Sequence, residues 1–202
     1  MKNFAAVICG LLVSSICSAQ NNVVRLDSIS PHFVYDIRYA TDNNFVGEAV
    51  YDCGICLLRP EAAVALNKAN EYFMSKGYCI TIFDCYRPYD VQKKLWEKVP
   101  NPAYVADPYN GGSIHNRGAA IDLALVTLDG DPVDFGTDYD FFGIEAHTDN
   151  LNHSETVLNN RNLLRTGMEL AGFKGIRTEW WHFSYTKSSG SSIMNQPLPC
   201  KN

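Results

Sequence analysis

Apolar and polar side chains alternate along this chain in a few short runs, separated by stretches rich in Gly, Pro and Asp. Residues 23–26 and 33–39 alternate with a period close to two, which predicts an early strand. The period changes at residue 60. Pro60 suits a first helical position, Glu61 suits the positive end of the helix dipole, and Ala62, Ala65, Leu66, Ala69 and Phe73 recur on one face until Gly77 stops the run. Residues 78–85 then read as a strand from their branched and aromatic content, and 89–99 as a helix with Val91, Leu95 and Trp96 inward. Residues 120–128 form a mostly apolar strand, and the turn signal Asp129-Gly130-Asp131-Pro132 predicts an antiparallel return through 133–135. A further helix is expected over 155–171, with Leu158, Leu164 and Met168 inward and Gly172 as its stop. An aromatic-rich strand follows over 178–185. Residues 40–51, 100–112 and 136–143 read as loops, and 186–202, Ser-rich and then Pro-rich, as a tail.

Helices and strands alternate here without a regular βαβ rhythm, so the expected class is α+β, a mainly antiparallel sheet with helices packed on one side. No internal repeat or second compositional regime interrupts residues 20–202, which points to a single domain. Residues 1–19 read differently: a short basic start at Lys2, an apolar run over 4–16 and small residues at Ser18 and Ala19 describe a secretory signal peptide cut after Ala19. A lipid-anchoring cut before Cys17 is the rival, weakened by the bulky Ile16. The chain is therefore expected to be exported, to a periplasm or beyond. No later apolar stretch approaches ~20 residues, so no membrane span is expected. With 17 basic against 22 acidic residues and a net charge of −5, nothing suggests a nucleic-acid partner. Of the seven cysteines, Cys9 and Cys17 fall in the leader. Export permits disulfides, so one or two are expected among Cys53, Cys56, Cys79, Cys85 and Cys200. The C-x-x-C spacing of Cys53 and Cys56 lacks the second pair that a structural zinc site needs.

The candidate chemistry starts at Asp122, a carboxylate inside an apolar strand, where loss of water is costly unless a cation or several donors replace it. His115, among Gly111, Gly112 and Gly118, is a natural companion ligand, since imidazole and carboxylate both suit Zn²⁺. His182 completes a two-His, one-Asp set for one zinc per chain, with a fourth position open to water. Glu179 stands three residues before His182 as a carboxylate not needed for coordination, and is the candidate general base. Residues three apart on a regular strand face opposite ways, so Glu179 must lie at a bent approach or beside a bulge to share a cavity with His182. Arg87 sits at a strand end, where functional groups are often displayed. His32, His147 and His153 belong to no comparable constellation, and Trp180 and Trp181 are expected to pack or to wall the pocket.

Taken together, Ser113-x-His115-x-x-Gly118-x-Ala120-x-Asp122 and Glu179-x-Trp181-His182 resemble the zinc D-alanyl-D-alanine dipeptidases of the vancomycin-resistance type, within the wider hedgehog/DD-peptidase fold. Tyr39-Ala40-Thr41 with Phe45, Asp84-x-Tyr86-Arg87-Pro88 and Gly136-Thr137-x-x-Asp140-Phe141 fall in the order of that family, so the resemblance spans most of the chain. It implies that His115, Asp122 and His182 bind zinc, that Glu179 is the general base and that Arg87 stabilises the transition state. It further implies that Tyr39, Ser113 and Asp140 hold the free amine of a small dipeptide substrate. The expected reaction is hydrolysis of D-alanyl-D-alanine or a similar short D,D-dipeptide by a metal-activated water. Two alternatives are a D,D- or L,D-peptidase acting on longer peptidoglycan stems and a non-catalytic zinc binding module; the presence of both Glu179 and Arg87 argues against the second. Export favours recycling or scavenging of released dipeptide over destruction of a cytoplasmic precursor.

Overall fold

The computed structural model describes residues 23–200, so the signal peptide expected over 1–19 lies outside the described residues. In order, the chain forms β1 (Val24–Arg25), β2 (Val34–Tyr35), β3 (Leu57–Leu58), α1 (Pro60–Met74), β4 (Tyr78–Asp84) and α2 (Tyr89–Lys98). It continues through β5 (Ala120–Thr127), α3 (Glu155–Leu170), β6 (Phe173–Gly175) and β7 (His182–Tyr185). Helix α1 starts with Pro60 at its first turn and buries Ala62, Ala65, Leu66, Ala69 and Phe73, the face its spacing predicts. Helix α3 is capped by Ser154, whose Oγ accepts from the Val157 N–H at 3.2 Å.

Strand β5 is buried along all but its last residue, so its sequence is almost continuously apolar rather than alternating. It is the middle of a five-stranded sheet ordered β2-β4-β5-β7-β6, in which only β2 runs parallel to its neighbour. A separate two-stranded ribbon joins β1 to β3. Helix α1 packs on β4 and against α3, which packs on β6. Between helices and sheet lies a core that includes Leu66, Phe73, Ile80, Leu123, Met168 and Phe173. The class is α+β, with a mainly antiparallel sheet.

Several expectations are corrected by this architecture. Of residues 33–39 only Val34 and Tyr35 form a strand, because the chain turns into a short 3-10 segment at Arg38–Ala40. The return after the Asp129–Pro132 turn is a single bridge between Val126 and Pro132 rather than a strand; Pro132 has no N–H to continue a ladder. On α3, Val157 is buried and Leu158 only half-buried, a displacement of one position around the helix. The last strand is confined to His182–Tyr185, with residues 178–181 in a bend before it.

Residues 186–200 are no free tail. Ser188 is buried, the Met194 N–H donates to the Asn116 carbonyl, and the Tyr86 hydroxyl donates to the Gln196 carbonyl at 2.9 Å. The Cys53–Cys200 disulfide anchors the far end, and a second disulfide joins Cys56 to Cys85. Two bridges therefore form, neither within the C-x-x-C pair, and among the described residues Cys79 has no partner.

Candidate metal centre and active site

Sheet register builds the centre of the site. Asp84 on β4 pairs with Asp122 on β5, and Asp122 pairs with His182 on β7, so three polar side chains stand in one row across adjacent strands. The register shifts between Ile82 and Asp84, and such a bulge re-aims the side chain that follows it. His115 arrives from outside the sheet, on the short turn His115–Arg117. That turn ends at Gly118 with φ 64°, where a Cβ would stand 2.8 Å from Val23 Cγ1, so both conformation and space demand glycine.

His115 Nε2, Asp122 Oδ1 and His182 Nδ1 converge. The two nitrogens are 3.1 Å apart, His115 lies 3.2 Å from the carboxylate oxygen and His182 lies 2.9 Å from it. Donors held about 2.0–2.2 Å from one zinc in a tetrahedral site stand ~3.3 Å apart, so the spacing and the donor types both fit. Each remaining polar atom of the three has its own partner. His115 Nδ1 meets the Cys85 carbonyl at 2.7 Å, His182 Nε2 meets Ser184 Oγ at 3.0 Å, and the Tyr139 hydroxyl donates to Asp122 Oδ2 at 3.1 Å. Burial opposes the charge on Asp122, but His115 and His182 outweigh it and hold the carboxyl well below the usual range.

Glu179 lies in the bend before β7, which resolves the strand-facing objection: its Oε2 is 3.9 Å from His182 Nδ1. Burial pushes its carboxyl up to about 7, with His182 opposing and Asp122 and Asp140 adding to the rise. Arg87 is buried against Asp84, donating from Nε at 3.0 Å and Nη2 at 2.7 Å to one carboxylate oxygen, and from Nη1 to Gln92 Oε1 at 2.8 Å. Gln92 in turn donates to the Ala106 carbonyl at 2.6 Å, which fixes which way its amide faces. The other Asp84 oxygen accepts from the Tyr51 hydroxyl at 2.6 Å and from the Cys85 N–H. Three of the five guanidinium N–H groups are thus engaged and two remain for a ligand.

Tyr39 and Asp140 meet directly, the hydroxyl donating to the carboxylate at 2.9 Å, and the Arg87 guanidinium sits 5.1 Å from the centre of the Tyr39 ring. Burial, with Asp122 adding to it, pushes Asp140 up to about 8. Ser113 stands on the His115 side, its Oγ accepting the His115 N–H at 3.2 Å. All eight side chains singled out in the sequence line one cavity of about 230 Å³. Phe45 and Tyr104 also line it and reach each other through Phe142, with ring centres 5.1 and 4.7 Å from that ring. A larger cavity of about 450 Å³ lies beyond Glu179, between α3 and β6, and among the described residues it holds no metal-ligating set.

His32, His147 and His153 stay outside the cluster. Trp181 is buried against Tyr139, while Trp180 stacks on Phe135 and walls the larger cavity. Sequence reasoning missed Gln92, Tyr139 and Ser184 as partners of the site, and quoted Asp84 within its motif without giving it a role. Ser184 was within reach, since it stands two residues from His182 on the same strand face. Tyr139 and Gln92 carry no local signal.

The family model for D-Ala-D-Ala dipeptidases, the M15 peptidases, matches residues 19–201. The chain belongs to this family. Its relatives include a D-alanyl-D-alanine dipeptidase of Escherichia coli, 34% identical over 183 residues that cover 91% of this chain and 94% of that one. A D-alanyl-D-alanine dipeptidase of Enterococcus faecalis is 29% identical over 200 residues, covering 89% and 95% of the two chains. Among solved structures, a mutant of the vancomycin-resistance D,D-pentapeptidase VanY in complex with Zn(II) aligns with 69% of this chain and 82% of that one, at a TM-score of 0.44 and 14% identity. The chain is thus a metallopeptidase of the M15 family, and its His115, Asp122 and His182 form a group able to hold a metal ion.

Proposed function

We propose that this M15 peptidase hydrolyses D-alanyl-D-alanine and similar short D,D-dipeptides, using one zinc ion held by His115 Nε2, Asp122 Oδ1 and His182 Nδ1. The observation that carries this reading is the joint geometry. Three donors 2.9–3.2 Å apart, Glu179 beside them and the Tyr39–Asp140 pair share one cavity. Zinc, when bound, supplies Lewis acidity that activates water and polarises a carbonyl. Glu179, held near neutrality by burial, takes a proton from the attacking water and returns it to the leaving amine. Arg87 presents its two unengaged N–H groups where negative charge develops on the former carbonyl oxygen, and Asp84 and Gln92 hold it there.

Asp140, half-buried and accepting the Tyr39 hydroxyl, supplies the carboxyl that would pair with an α-ammonium, whose charge would favour its ionised form; Ser113 lines the same cavity. A substrate lacking that ammonium leaves these groups unmet, which favours a free dipeptide over an acylated stem. The cavity size agrees: about 230 Å³ lies below the ~300–1,000 Å³ typical of sites for drug-sized ligands. Two disulfides support the exported location, where D,D-dipeptide released from cell wall is the available substrate.

The test is a panel of dipeptides varied in chirality at each position, with an N-acetylated dipeptide and a stem peptide, assayed on zinc-replete enzyme and on Glu179→Ala. Selective cleavage of the free D,D-dipeptide, lost in Glu179→Ala and on chelation, is the expected result. Equal cleavage of the acetylated dipeptide would defeat the amine pocket, and zinc binding without any cleavage would leave a binding module.

A further inference from the structure

Each imidazole of the triad presents one nitrogen to the metal position, and each has its other nitrogen tied, but by different means. For His115 the tie is main chain: Nδ1 meets the Cys85 carbonyl at 2.7 Å, and since a carbonyl only accepts, Nδ1 carries the proton and Nε2 keeps its lone pair. His182 is turned the other way round. Its Nδ1 faces Asp122 and His115, and Nε2 meets a side chain, Ser184 Oγ, at 3.0 Å. Ser184 lies two residues along β7, so it shares the face of His182, and it borders the same cavity. It pairs with Ala120 on β5 and Lys174 on β6, an interior sheet position flanked by main chain on both sides.

We propose that Ser184 is a positioning residue for the metal: its Oγ accepts the Nε2 proton of His182, which fixes the tautomer whose Nδ1 lone pair points at the triad and holds the ring's orientation. The proposal rests on the zinc reading above. A hydroxyl is suited to the task because it accepts the proton without adding a charge beside Asp122 and Glu179. With alanine at the position, His182 Nε2 loses its protein partner, and metal ligands deprived of such an outer contact lose about 10–100-fold in metal affinity.

The experiment uses the full mature chain as wild type, Ser184→Ala, Ser184→Thr and His182→Ala. Zinc dissociation constants come from competition with a calibrated chelator, the absorption spectrum of each Co(II)-substituted protein is recorded, and kcat and KM are measured at saturating zinc. Ser184→Ala is expected to bind zinc about 10–100-fold more weakly and to shift the cobalt bands, with Ser184→Thr, which keeps the hydroxyl, restoring both. Wild-type affinity and spectrum in Ser184→Ala overturn the proposal, and so does a rise in KM alone, which would assign Ser184 to substrate. Equal losses in the Ala and Thr variants would make the position one of packing and also overturn it. Undiminished zinc binding by His182→Ala would instead sink the zinc reading itself, so the two failures are told apart.

Discussion

Glu179 and Asp140 show how burial sets the chemistry available to single carboxyls. Glu179 is pushed up to about 7 by burial and stands 3.9 Å from His182 Nδ1, a setting that suits the general-base role proposed for it. On the proposed mechanism Glu179→Gln keeps the shape and removes the base: turnover is expected to fall by about 10²–10⁴ while zinc content, measured by atomic absorption, stays at one per chain. Asp140, at φ 58°, is pushed up to about 8 by burial, with Asp122 adding to it. The folded chain therefore keeps this proton where the unfolded chain, with an ordinary Asp pKa of ~3.9, has lost it. The stabilising contribution is full below pH ~4 and is lost as pH rises through about 8. Asp140→Asn has no such proton to lose, so wild-type urea midpoints should decline relative to the variant's between those limits. The same substitution should raise KM for a free dipeptide by about 10–100-fold, the size of a lost charge-assisted hydrogen bond, and leave an N-acetylated dipeptide unaffected.

Elements are held in place by close contacts that the site inherits. Gly167 lies within α3, where glycine is a poor helix former, and it is there because α1 passes close by: a Cβ would stand 2.3 Å from the Phe73 ring. Gly167→Ala should cost about 1–3 kcal/mol of stability by urea unfolding, through separation of the two helices, with the metal site on β5 and β7 left intact. The two disulfides differ in what they touch. Cys56–Cys85 ends at the residue whose carbonyl holds His115 and whose N–H donates to Asp84, the partner of Arg87. Cys53–Cys200 instead closes the strap formed by residues 186–200. Replacing either pair by serine should cost about 2–4 kcal/mol in stability. Only loss of Cys56–Cys85 should also weaken zinc affinity, measured by chelator competition.

In the whole molecule, three separate loops meet beside the cavity through Phe45, Phe142 and Tyr104, and this aromatic contact is the candidate for a limit on ligand length. Phe45→Ala and Tyr104→Ala should raise the turnover of a tripeptide relative to a dipeptide, read from competing substrates in one reaction. An unchanged ratio would mean that the size limit is set deeper, at Tyr39 and Asp140. The family name follows from the whole chain, since the match runs from residue 19 to 201, whereas the chemistry follows from one end of three strands.

Local patterns along the chain were enough to place the helices and the two central strands and to single out the residues of the triad. Periodic burial dictates Ala62 to Phe73 on α1 and the apolar run of β5, and a carboxylate such as Asp122 inside that run calls for a cation or several donors. Those signals are local. What is set by pairing between distant segments had to wait for the folded chain: the row of Asp84, Asp122 and His182, the choice of Cys53–Cys200 and Cys56–Cys85, and the docking of residues 186–200. The shortened strand at His182–Tyr185 belongs there too, because the bend before it is held by distant segments, the Thr148 N–H donating to the Arg177 carbonyl and the Leu123 N–H to the Trp181 carbonyl. Strand register and disulfide partners depend on which surfaces meet, and contacts such as Gln92 to Arg87 or Tyr139 to Asp122 exist only once the sheet has closed.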